Sequence, residues 1–164
     1  MKTKVILKCA LFASCFALPL SAVMAEDAPA APPPAVQIAP PAKGKAQIVL
    51  FRPSAMGMAI QCHLRENGKM LAKAGNGKYW AFSVDPGKHK YTVHSEVTNE
   101  INMEVDPDET TYVKCKITMG IMAGRPRLSP STKAEFDAVS ARLKSEDPVK
   151  MAKALAEDES KPAQ

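Results

Sequence analysis

The chain has 164 residues, 46% of them hydrophobic, 24% charged and 5% aromatic. This suits one main domain with accessory segments and excludes a polytopic membrane protein or a large multidomain enzyme. The formal net charge is +5, but Lys2, Lys4 and Lys8 belong to a targeting segment, and the +2 left without them is too small to indicate nucleic acid as a partner.

Those three lysines open an apolar run, Val5 to Ala25, that ends in Val23-Met24-Ala25 before Glu26-Asp27. Small residues at −3 and −1 fit a signal peptidase, so residues 1–25 read as a signal peptide cleaved between Ala25 and Glu26. Two alternatives stand beside it. Cys15 would be the lipidated residue of a lipoprotein, but Phe12 stands where a lipobox has an aliphatic residue. An uncleaved anchor is the other, since Val5 to Ala25 is about long enough to span a bilayer. All three readings place the remainder outside the cytoplasm. Residues 26–44 then form a Pro/Ala-rich linker. Its prolines exclude helix and strand and imply an extended polyproline-like spacer, at ~3.1 Å per residue.

From Ala46 the pattern has period two with turn punctuation. Ala46 to Arg52 is a first strand, stopped by Pro53. In the next, Ile60, Cys62 and Leu64 face one way and Gln61, His63 and Arg65 the other. Asn67-Gly68 is a hairpin turn, because both residues tolerate positive φ. Met70 to Ala72 is a short strand, and Gly75-Asn76-Gly77 leads into Tyr79 to Val84. Asp85-Pro86-Gly87 turns the chain into His89 to His94, followed by Glu100 to Val105. Past the Asp106-Pro107-Asp108-Glu109 turn, Thr111 to Thr118 places Val113, Cys115 and Ile117 on one face. A last strand covers Arg125 to Leu128. The expectation over residues 45–130 is an all-β fold, a seven- to eight-stranded antiparallel sandwich of the transthyretin or immunoglobulin kind. Parallel β/α architecture is excluded, since no crossover helices separate the strands.

Residues 131–159 change period and predict a C-terminal helical extension, with a polar tail at 160–164. Thr132-Lys133-Ala134-Glu135 is a capping box, and Phe136, Val139 and Leu143 share a helical face. Asp147-Pro148 starts a second helix, for which Val149, Ala152 and Leu155 give a thin apolar stripe.

Cys62 and Cys115 are the two cysteines left after the signal, both on the inner faces of their strands. In an oxidising compartment they predict a disulfide between the sheets. The histidines offer little: His89 and His94 lie on opposite faces of one strand and cannot share a metal without a bulge, and His63, His89 and His94 read as solvated surface residues. Seven methionines remain after the signal, and Met56, Met58 and His63 raise a soft-metal reading, Cu(I) above all. Adaptable core filling is the commoner use of methionine, so no metal and no cofactor is expected. No nucleophile motif or nucleotide-binding glycine pattern occurs. One segment is distinctive: Met119 to Leu128 sets Gly120, Gly124, Pro126 and the pair Arg125 and Arg127 between strands. Glycine permits close backbone approach and arginine suits bidentate anions, so Gly124, Arg125 and Arg127 form a candidate anion or partner contact. A bulged turn with its arginines spread over the sheet is the plainer reading.

The succession Leu50-Phe51-Arg52-Pro53, Asn67-Gly68-Lys69, Asp85-Pro86-Gly87-Lys88-His89, Thr111-Tyr112-Val113 and Met119-Gly120 with Gly124-Arg125-Pro126 resembles a bacterial envelope family, domain of unknown function 2846. The resemblance covers about residues 45–135. The Pro-Gly-Lys-His turn feeding a strand is also similar to transthyretin-like and PEGA-type sandwiches. What the resemblance implies is a secreted or lipid-anchored β-sandwich, with no catalytic residue to carry over. The all-β scaffold, the lack of a catalytic constellation and the Pro-rich leader lead to the expectation of a non-enzymatic periplasmic binding or structural module of the cell envelope, in which an exposed edge strand or the C-terminal helix would carry any partner contact. The alternative is a small-ligand binder, for an anion or for copper.

Overall fold

A computed structural model describes residues 34–53 and 57–160. Nine strands lie among them: β1 (Ala46–Arg52), β2 (Cys62–Glu66), β3 (Lys69–Ala74), β4 (Lys78–Val84), β5 (Gly87–His94), β6 (Thr98–Val105), β7 (Thr110–Thr118), β8 (Arg125–Ser131) and β9 (Lys144–Ser145). Two helices, α1 (Lys133–Ser140) and α2 (Pro148–Glu159), flank β9. One sheet has the order β8-β7-β1-β4-β9 and the other β3-β2-β5-β6. The all-β sandwich with a C-terminal helical extension is therefore present.

Its sheets are not purely antiparallel, however. β1 pairs parallel to β7 and β4 parallel to β9. Parallel neighbours need a long connection, and here the intervening strands supply it in place of a crossover helix. β9 is the strand beyond the expected seven or eight; two residues carry no periodicity to read. β8 also runs past Leu128 to Ser131, through Pro126 and Pro130. It is an edge strand, where a missing N–H breaks no ladder and discourages pairing with another chain. At the β2–β3 turn Asn67 and Gly68 adopt φ of 50° and 83°, the conformation their sequence predicts.

The centre of the fold is β1, buried along its whole length. Ala46, Ile48 and Leu50 enter the core between the sheets, with Cys62, Leu64, Tyr91, Val93, Val113 and Cys115. Val49 and Phe51 enter a second apolar cluster with Tyr112, Phe136 and Leu143. Phe136 of α1 anchors that cluster, its ring 5.3 Å from Phe51, 5.3 Å from Tyr112 and 5.7 Å from Tyr79. The C-terminal extension thus completes the core. Thr132 caps α1 by accepting from the Glu135 amide, while the Glu135 carboxylate turns to Ser131 and Lys114, so the capping box is half closed.

Part of the expected spacer is packed. Residues 34–42 are neither helix nor strand, yet Val36 and Ile38 sit on the second cluster and the Val36 amide donates to Ser140 Oγ at 3.0 Å. Two aliphatic residues among prolines and alanines suffice to hold the segment down. The stripe expected on α2 is also replaced. Asp147 caps the helix and Pro148 opens it as predicted, but Val149 is 78% exposed and Met151 is the buried residue. The helix packs against β3 and is held by Asp158, which accepts from the Arg65 guanidinium and from the Met70 amide. A polar tether of this kind leaves no apolar period in the sequence.

Cys62 of β2 and Cys115 of β7 form a disulfide between the two sheets, with Cα atoms 6.5 Å apart. In the same core lies Tyr91, whose buried hydroxyl has no hydrogen-bond partner among the described residues. Burial, with a smaller contribution from Glu66, raises the Tyr91 phenol well above its ordinary range.

Candidate functional site

Because β1 and β7 run parallel, they finish at the same end of the sandwich. Three loops meet there: the β1–β2 connection with Gly57 and Met58, the β5–β6 turn with Glu96 and Val97, and the β7–β8 loop at 119–124. Arg52, buried at the end of β1, fixes the first by donating to the carbonyls of Ile60 and Gly57. Burial lowers its pKa from the usual arginine value. Close packing fixes the first loop against the third. A Cβ on Gly57 would lie 2.9 Å from Ile117 Cγ2, and one on Gly124 would lie 2.4 Å from Ile60 Cδ1.

Glu96 fixes the third loop. Its Oε1 accepts from the amides of Met122, at 2.7 Å, and Ala123; its Oε2 accepts from Arg125 Nε at 3.0 Å and Nη2 at 2.9 Å. The amides of Ala123 and Met122, and Arg125 after them, hold the Glu96 carboxyl below the usual carboxylate range. So Gly124 does permit close approach and Arg125 does grip an anion. The approach is to isoleucine side chains, however, and the anion is the chain's own carboxylate. Arg127 lies apart, exposed on β8 directly opposite Lys116. Sequence reasoning missed Glu96, which stands far from Arg125 in the chain and reads locally as an ordinary turn acid.

What this end presents to solvent is apolar. Met58 is 78% exposed, Met119 79%, Ile121 89% and Met122 93%, with Val97 at 46%. All five stand on the three loops, which Arg52, Glu96 and the close packing at Gly57 and Gly124 hold in place.

The copper candidates are not brought together. Met56 lies outside the described residues, Met58 belongs to the loop end, and His63 is on the outer face of β2 beside Gln61. Among the described residues no three His, Cys, Asp or Glu side chains are grouped to hold a metal ion. His63 borders a hollow of about 230 Å³ between β2, β3 and α2, where Arg65 and Lys73 face Glu157 and Asp158. A wider hollow of about 460 Å³ lies on β5 and β6, lined by Lys88, His89, Lys90, Asn102, Met103 and Glu104. His89 is no solvated surface residue. Its ring stacks on Tyr91 at 5.5 Å, and its nitrogens lie 2.8 Å from Glu66 Oε1 and 2.8 Å from the Asp85 carbonyl. The turn that precedes it brings the Asp85 carbonyl to the ring's Nε2. The cleavage point at Ala25 and Glu26 lies outside the described residues.

The family model described as a protein of unknown function, DUF2846, matches residues 42–126. The chain belongs to this family. The DUF2846 match takes in the disulfide, Glu96, the three loops and Arg125, and stops short of Arg127 and both helices. The chain is 21% identical over 126 residues to an uncharacterized protein of Haemophilus influenzae, a match covering 76% of this chain and 71% of that one. No solved structure matches.

Proposed function

We propose that this DUF2846 chain is an exported sandwich module of the bacterial cell envelope, of the transthyretin- or PEGA-like kind. It works by binding rather than catalysis, and its contact surface is the end where the three loops meet. The observation that carries this reading is the exposure of Ile121 and Met122, at 89% and 93%, on a loop whose backbone is tied down by Glu96. Apolar side chains held in the open have a use only when a partner covers them. The Cys62–Cys115 disulfide supports an oxidising compartment, and so does the basic, apolar N-terminus. Among the described residues no helix is long and apolar enough to cross a membrane. Retention at the envelope then falls to the loop end or to the segment before residue 34.

The test is fractionation of cells carrying wild-type chain or the triple variant Met119→Ser, Ile121→Ser, Met122→Ser, with thiol trapping of Cys62 and Cys115 as the check on folding and export. The expected result is untrapped, oxidised cysteines in both, wild-type chain held in the envelope fraction, and the variant released by osmotic shock. Identical partitioning of the two, or trapping of the cysteines as free thiols, would overturn the reading.

A further inference from the structure

We infer that the occupant of the loop end is an anionic lipid bilayer surface, into which Met119, Ile121, Met122 and Met58 dip. This rests on the reading just given and names its partner. The first reason is shape. Met119, Ile121 and Met122 project from the β7–β8 loop and Met58 from the β1–β2 connection, each largely exposed, which suits a soft planar partner better than a peptide that needs a groove. The second is backbone satisfaction. A loop entering the headgroup and acyl boundary must keep its amides paired, since water is scarce there. Glu96 supplies partners for the Met122 and Ala123 amides from within the chain, and Arg125 balances the Glu96 charge.

Charge complementarity is the third. Lys116 and Arg127 are direct cross-strand partners, both exposed. Like charges so placed repel unless an anion comes between them. Neither forms an ion pair among the described residues; Lys116 only adds to the field at Glu135. They stand three residues before Met119 and three after Gly124, about 10 Å back from the tip at the strand rise. That is headgroup depth when the tips reach the acyl boundary.

The experiment uses the full chain with Cys9→Ser and Cys15→Ser, so that the label has one free thiol, and one added cysteine, Met122→Cys at the tip or Asp108→Cys at the opposite end, labelled with an environment-sensitive fluorophore. The probe is vesicles of phosphatidylethanolamine and phosphatidylglycerol, with neutral phosphatidylcholine vesicles for comparison. A blue shift at position 122 and none at 108 is expected, weaker on neutral vesicles. Adding Met119→Ser and Ile121→Ser should lower the vesicle affinity read at 122 by at least about tenfold. No shift at 122, or the same shift at both ends, overturns the proposal. Should the fluorophore stay silent while envelope retention still depends on the tip residues, the lipid assignment falls and the binding reading stands.

Discussion

Breaking the Cys62–Cys115 bridge gives the sharpest energetic test of the fold. The bridge joins residues 53 positions apart, one in each sheet. In the chain-entropy model a loop of that size restrains the unfolded chain by about 4 kcal/mol. Domains of this size have ~5–15 kcal/mol to lose, so the reduced protein should stay folded but far closer to its midpoint. Replacing both residues (Cys62→Ala, Cys115→Ala) also empties two sulfur positions in a core where both are fully buried, which costs roughly a further 1–3 kcal/mol. The expected order of stability is oxidised, then reduced, then the double variant. Urea unfolding followed by the fluorescence of Trp80, which packs on the inter-sheet core, measures it. The mechanism adds a second requirement: a reduced unfolded chain is more open, so the urea m-value should rise on reduction. Equal midpoints for oxidised and reduced protein would refute the argument. A lower midpoint with no change in m would refute its attribution to the unfolded state.

Phe136→Ala should cost ~3–5 kcal/mol, since the ring is fully buried against three other aromatic rings, and should release α1 and the segment at Val36 together. Loss of amide protection in both segments is the check; a variant that loses stability with α1 still protected contradicts the second cluster. A pH titration tests Glu96. Its carboxyl is held low by the Ala123 and Met122 amides and by Arg125, so the grip is complete above the ordinary glutamate range, near pH 4.3, and is lost as pH falls through the lowered folded-state value. The amide resonances of Met122 and Ala123 should hold steady until that lower range, and Glu96→Gln should abolish their titration; movement at the ordinary glutamate pH in wild type would disprove the contact.

How much of this was legible in the sequence follows from how local each cause is. The alternation of Val113, Cys115 and Ile117, the Asn67-Gly68 turn and the Thr132 and Asp147 caps are each decided within a few residues, and each appears where the sequence puts it. The disulfide was legible because two inward cysteines on different strands leave few pairings. The parallel pairing of β1 with β7 was not, because register between strands this far apart is decided by the cores on both faces of β1. Burial of Ala46 to Arg52 on both faces is itself the mark of a central strand, and the apolar run Ile48 to Phe51 carries that signal. The two-residue β9 and the Asp158 tether of α2 have no periodic signature at all.

The candidate site shows the same limit in its chemistry. Two arginines among glycines describe a place where an anion could be held, and in the structure Arg125 is paired with the chain's own Glu96. Sequence gives the residue type that grips, but an internal counter-ion can come from any turn that the topology brings near. Here the β5–β6 turn arrives because β6 lies beside β8, where the Asn99 side chain also accepts from the Leu128 amide at 2.7 Å. Glu96 occupies Arg125 and ties the Met122 and Ala123 amides, so the β7–β8 loop is anchored from within the chain. What it mounts is Met119, Ile121 and Met122. The methionines, for which core filling is the commoner use, stand here with Ile121 among the most exposed large hydrophobic side chains of the described residues. Arg127 and Lys116, which form no ion pair among the described residues, are placed to meet an anion brought from outside.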